Sequence, residues 1–206
     1  MWHEAKVIAA PAEEPVTVSE ARAQCGVIGE DRDSELVRAI QSARVFIEHY
    51  CGIRLVSQTI EVACDLFGDL GSLPEAPLQA VVSIAYVDSA GIDQILPSDV
   101  FEPRLDGLSP TIVRRFGKSW PAIQAGSRIK MTATAGYGLA SAVPAPIASA
   151  ILLHLGMAIS LSGKDALVRT EAVEGIGSQQ FGGVVEVTGA VDRAVAALLV
   201  NFRRWT

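Results

Sequence analysis

Histidine is scarce in this chain, with three residues in 206, and so is cysteine, also with three. A hydrolase or transferase needs a nucleophile beside a base, paired carboxylates, or converging metal ligands. His3, His49 and His154 belong to no metal-ligand spacing such as HExxH, and a structural place is expected for each. Cys25, Cys51 and Cys64 form an odd set without a CxxC or Cys/His pattern. That excludes a disulfide framework and a zinc finger, and leaves them as small apolar residues. Glycine marks no phosphate cradle either. Gly175-Ile176-Gly177 and Gly182-Gly183 lack the strand-to-helix setting of a dinucleotide fingerprint, and Gly163-Lys164-Asp165 lacks the hydroxyl of a P-loop. No catalytic, cofactor-binding or metal-binding residue is expected, and the chain reads as a non-enzyme.

Long apolar runs are missing too. The longest, Ile147 to Leu161, holds His154 and Gly156 and falls short of the roughly 18–20 residues that cross a bilayer. Before Pro11 there is no apolar core of signal-peptide length, so the expectation is a cytoplasmic chain with no membrane association. Positive charge is sparse. A net charge of −6 opposes tight binding to a polyanion, which needs clustered Lys and Arg.

What the chain has in abundance is apolar surface: 50% of residues are hydrophobic and 19% charged, with a mean hydropathy of +0.33. With no membrane segment to absorb it, a subunit interface is its expected destination.

Thr17-Val18-Ser19-Glu20 is a capping box, which predicts a short helix to about Gln24 ended by Gly26. A second helix begins near Asp31 or Asp33, with Leu36, Ile40, Ala43, Ile47 and Tyr50 on one stripe, closed by Gly52. From Ser57 the period is two, placing Ile60, Val62, Cys64 and Leu66 on one side. Further strands are expected at Val81 to Val87, Asp93 to Leu96, Thr111 to Phe116 and Arg128 to Ala135. Their short connections suggest an antiparallel meander. Pro144-Ala145-Pro146 opens a third helix carrying Ile147, Ile151, His154, Leu155, Ala158 and Leu161, with Leu152, Leu153, Met157 and Ile159 opposite, and Gly163 at its end. Because it is apolar nearly all round, this helix must be covered on two sides. Lys164 to Gly189 is a glycine-rich loop or a small hairpin around Phe181 to Val187, and a last helix starts near Asp192. The fold class is therefore α+β, mainly α: a helical bundle with an antiparallel β insertion. Segments 15–56 and 141–206 form the bundle, with the loop 164–189 inside the second, and 57–140 forms the insertion.

Two basic clusters remain. Arg114-Arg115 with Lys118 reads as a solvated edge or an interface salt-bridge donor. Phe202-Arg203-Arg204-Trp205 reads as an anchor for a partner's acidic pocket, since Arg and Trp are enriched in binding hot spots. The alternative is local: arginines complementing a helix C-terminus while Trp205 covers the chain's own core.

The order of elements resembles the head-tail connector, or adaptor, proteins of long-tailed phages and related gene transfer agents. The matching phrases are Pro15 to Ala21, Tyr50-Cys51-Gly52-Ile53-Arg54, Leu73-Pro74 and Pro77-Leu78-Gln79-Ala80-Val81. They continue through Ile84 to Asp88, Gly91, Ser119-Trp120-Pro121, Thr134-Ala135-Gly136-Tyr137-Gly138 and Val143 to Ile147. The resemblance covers Pro15 to about Leu161 and fades after Gly163. It implies a ring-forming subunit, twelve to the ring, below the portal protein, with a tail-side connector or stopper protein as the next partner. DNA would pass through an acidic lumen without sequence-specific binding, and the place of work would be the virion's head-tail junction, after assembly in the bacterial cytoplasm. The periodicity places subunit contacts on the helices Leu36 to Tyr50 and Ile147 to Leu161. A tail-completion protein at another joint is the alternative. A small-molecule enzyme using His49, His154 or Asp65 is the reading from a different class.

Overall fold

The computed structural model describes residues 1–162, 170–173, 177–180 and 184–204, with side chains at 1–161 and 188–204. The chain forms two compact units. One is mainly β and comprises Met1–Glu13, Gly52–Val143 and Arg204–Thr206; the other is mainly helical and comprises Glu14–Cys51 and Pro144–Arg203.

In the β unit, β1 (Lys6–Ala9), β2 (Gln58–Cys64), β3 (Leu78–Val87), β4 (Asp93–Ile95) and β7 (Ile129–Ala135) form one sheet in the order β1-β2-β7-β3-β4. Every pairing is antiparallel, but the sheet is not the expected meander, because β7 lies between β2 and β3. The reason lies in the connections. Asp88 to Gly91 turns β3 directly into β4, with the Asp88 carboxylate accepting from the Ala90 and Ile92 amides at 2.9 and 3.0 Å. The longer link from β2 to β3 instead carries Phe67, Leu70 and Leu73 into the core. β7 then fills the gap, with Ile129, Met131, Ala133 and Ala135 all buried on the face shared with Ile60, Val62 and Cys64. Leu66, expected on that face, is exposed, since the strand ends at Cys64. A separate hairpin of β5 (Phe101–Arg104) and β6 (Thr111–Arg114) adds Phe101 and Ile112 to the core. β5 escapes sequence reading because Pro103 interrupts its pattern. Phe67 stacks on Trp120 at 5.0 Å and meets Tyr86 edge-on at 5.6 Å.

The N-terminal strand is the sheet's edge. β1 pairs with β2, the His3 amide donates to the Ala63 carbonyl at 2.8 Å, and Trp2 Nε1 donates to the Ser72 carbonyl at 2.7 Å. The opposite end of the unit turns on Gly136, whose φ of +115° no other residue adopts without strain. A Cβ there would lie 2.5 Å from the Val56 carbonyl oxygen. That close approach lets the Ser57 amide donate to Gly138 and the Tyr137 amide donate to Leu55, both at 2.8 Å.

In the helical unit, α1 (Val18–Cys25) has the expected capping box: the Glu20 amide donates to Thr17 Oγ1 and the Thr17 amide donates to the Glu20 carboxylate. Those bonds hold the Glu20 carboxyl below its ordinary range. α1 closes at Gly26 in the left-handed conformation. α2 (Asp33–Cys51) buries Leu36, Ile40, Ala43, Ile47 and Cys51. α3 (Ala145–Ser162) buries Ile147, Ala150, Ile151 and Leu155. α4 runs Val184–Leu199, with Val195 and Leu199 buried, so it starts before Asp192 and takes in Val184 to Val187. The β-branched run suggested a hairpin there; continued helical spacing through Val191 and Val195 overrides local propensity. The hairpin lies earlier, between β8 (Thr170–Val173) and β9 (Gly177–Gln180). Gly163 lies outside the described residues.

Candidate assembly surfaces

Among the described residues, no three of His, Cys, Asp and Glu are placed to hold a metal ion. His3 Nε2 lies 2.8 Å from Asp65 Oδ1, a hydrogen bond that pulls the Asp65 carboxyl below its ordinary value. His49 is exposed on α2. His154 stacks on Phe46 at 4.1 Å, and burial lowers its pKa. The thiols are withdrawn as well: burial pushes Cys64 up to about 12 and Cys51 up to about 11. No described helix is long and apolar enough to cross a membrane.

The apolar stripe Leu36, Ile40, Ala43 and Ile47 faces the core of its own unit, each residue 0–1% exposed. It therefore offers nothing to another subunit, and this part of the expected contact surface is corrected. The reason is that one stripe at helical spacing satisfies either a core or an interface, and α1 and α3 claim it first. The apolar residues that α2 does present are Val37, Val45 and Phe46. On α3, Leu152, Leu153, Met157 and Ile159 are half-buried opposite the core-facing side. An ion-pair chain fixes α2: Arg44 donates to Glu14 at 2.7 Å and to the buried Glu48 at 3.2 Å.

At the C-terminus, Arg203 lies over the Tyr50 ring at 4.8 Å. Arg204, half-buried, donates to the backbone carbonyls of Pro74 and Leu73 at 2.5 and 2.8 Å. Phe202 ends the last helical turn, half-buried. Trp205 lies outside the described residues. In the first basic cluster, Arg115 donates to the Phe101 carbonyl and Lys118 pairs with Asp99, which leaves Arg114 at the surface beside a fully exposed Phe116.

The β unit also has open sheet edges. All four residues of β1 and all three of β4 are exposed, including Val7, Ile8 and Ile95. Sequence reasoning placed a strand at Asp93 to Leu96 but missed β1 and the edge position of both, because edge position depends on pairing order rather than on local pattern.

No curated protein matches the chain in sequence. Residues 15–91 match the family model of phage gp6-like head-tail connector proteins. A chain in the neck of an empty gene transfer agent particle, computed with C6 symmetry, shares the fold at a TM-score of 0.74 and 22% identity, covering 99% of this chain and 97% of that one. A chain in the virion of a native gene transfer agent particle gives 0.73 at 22% identity, with the same coverage. A chain in the native neck computed with C12 symmetry gives 0.70 at 21% identity, again covering 99% and 97%. Over its N-terminal part the chain thus carries the pattern of gp6-like head-tail connector proteins, and over nearly its whole length it has the fold of a gene transfer agent neck chain.

Proposed function

We propose that this chain is a structural head-tail connector subunit that forms a ring below the portal, extends the DNA channel and presents the attachment surface for tail components. The observation that carries this reading is the full-length fold match to neck chains, both helical and β units included, together with the connector pattern over residues 15–91. The necks to which it is similar were computed with C6 and C12 symmetry, and a ring of twelve copies satisfies both. The chain's net charge of −6 suits a channel through which DNA slides without being gripped. Exposed apolar side chains on α2 and the half-buried second face of α3 supply packing surface to neighbours.

The segment Phe202 to Trp205 is the proposed portal anchor. Because Val195 and Leu199 are buried, a truncation that tests this must leave α4 intact and remove only residues 203–206. The expected outcome is a folded chain that no longer associates with portal-bearing particles in a co-sedimentation assay. Particle electron microscopy tests the whole reading. Density for this chain between portal and tail supports it, and particles with that position filled by another protein reject it.

A further inference from the structure

We propose that neighbouring copies of this chain join their five-stranded sheets edge to edge, β4 of one copy lying parallel to β1 of the next. The inference rests on the ring reading above and specifies which surfaces would close the ring.

A cyclic ring of more than two copies requires two different patches that fit each other, because a self-complementary patch closes only dimers. The two edges of this sheet are such a pair. Its five strands alternate in direction, so β1 and β4 run the same way, and a head-to-tail join brings them together in parallel. The side chains agree with that geometry. Lys6 is registered with Glu61, on the sheet face opposite the core residues Ile60 and Val62. Ile95 is registered with Ala85, which pairs with Lys130, and Asp93 lies two residues before it, so both occupy that same non-core face. Within one sheet Lys6 stands level with Pro97, through Glu61, Thr132 and Ser83, so overlapping the two short strands shifts one sheet four residues along the next; in that register Lys6 meets Asp93, cation against anion. Neither residue is in an ion pair among the described residues. Exposed apolar side chains flank each edge, Val7 and Ile8 on β1, Ile95 on β4 and Ile92 just before it, at 47–68% exposure.

Both edges are held ready. The Asp88 carboxylate fixes the turn before β4 and also accepts from Gln94 at 2.9 Å. Trp2 and His3 tie down the start of β1. An ordered edge loses little entropy on pairing. At four and three residues the strands are short, so a single junction is weak, and the free chain stays largely monomeric until neighbours are held on the particle.

The test is a disulfide across the junction. Lys6→Cys and Asp93→Cys are introduced together in a Cys25→Ser background, and the protein is oxidised both free at high concentration and in assembled particles. Non-reducing gels of the double variant should show a ladder of covalent multimers, whereas each single variant stops at dimers. In parallel, Lys6→Asp or Asp93→Lys alone should cut incorporation into particles several-fold, and the two together should restore it. Absence of multimers in both preparations overturns the edge pairing, and so does cross-linking of either cysteine to another virion protein. Microscopy of the same particles separates the two ideas: rings without a ladder reject only the junction, and particles lacking the chain reject the ring as well.

Discussion

Replacing Gly136 by alanine should be among the most damaging single changes in the β unit, out of proportion to one methyl group. At φ +115° an L-residue stores about 1–3 kcal/mol of backbone strain. The new Cβ would sit 2.5 Å from the Val56 oxygen, 2.6 Å from its carbon and 2.8 Å from the Ser57 nitrogen. Those are backbone atoms that cannot rotate aside, so the segments must part, a further ~1–3 kcal/mol by analogy with overpacking. Separation also weakens the Tyr137-to-Leu55 and Ser57-to-Gly138 hydrogen bonds, each contributing about 0.5–1.5 kcal/mol. Together these give about 3–9 kcal/mol, a large fraction of the roughly 5–15 kcal/mol that stabilises a typical domain. Urea unfolding followed by the fluorescence of Trp2 and Trp120, both packed against the β core, measures it. With a slope of about 2 kcal/mol per molar, the midpoint should fall by about 1.5–4.5 M. Gly126 is the control: its φ is +79° but nothing lies within 4 Å of its Cβ position, so Gly126→Ala should cost only about 1 kcal/mol. Equal midpoints for the two variants would refute the steric reasoning.

Stability of the helical unit should fall with acid through His154. Burial lowers its folded-state pKa below the ordinary 6.5, so the unfolded chain binds the extra proton first. The stabilisation is complete above that value and is lost as pH drops through it toward the folded pKa. His154→Gln should flatten this slope in thermal melts at pH 5–7, and an unchanged slope would reject the assignment. Thiol labelling should modify Cys25 in the native protein, while Cys51 and Cys64, pushed up to about 11 and about 12, react only on unfolding. Rapid native labelling of all three would contradict their burial. Arg204→Ala should remove two charge-assisted bonds to the Leu73 and Pro74 carbonyls, costing about 2 kcal/mol locally. Faster amide exchange at residues 203–204 reports it, and Arg204→Lys, lacking the fork, should rescue it poorly.

Legibility followed the range of the interactions. The Thr17 capping box, the Gly26 stop, the α2 stripe and the alternation of β2 all depend on neighbours within four residues, and each is where the spacing predicts it. The insertion of β7 between β2 and β3 depends on which long-range edge is left open, and no local pattern states it. The start of α4 was obscured because Val184, Val185 and Val187 satisfy strand propensity while also fitting a helical period. The C-terminal basic segment divides in the same manner. Its composition suggested a partner-facing anchor, yet the carbonyls that Arg204 finds are 130 and 131 residues away within the chain.

Several phrases that carried the family resemblance turn out to be places where the backbone has few options. Gly136 sits where its own amide donates to the Pro77 carbonyl at 2.9 Å, and Pro77 follows a cis peptide bond. Arg54 donates to Glu75 at 2.8 Å while its amide donates to the Ala76 carbonyl at 2.7 Å. Thus Ile53-Arg54, Leu73 to Leu78 and Thr134 to Gly138 meet at one joint of the β unit. A joint built from backbone contacts tolerates little variation in the residues that form it, whereas in the proposed ring the exposed edges β1 and β4 would need only to keep charge and shape complementary to a neighbour. Sheet edges are therefore written in the sequence far more faintly than the joints that hold the sheet in shape, because an edge is defined by the pairing order of the strands rather than by a local pattern.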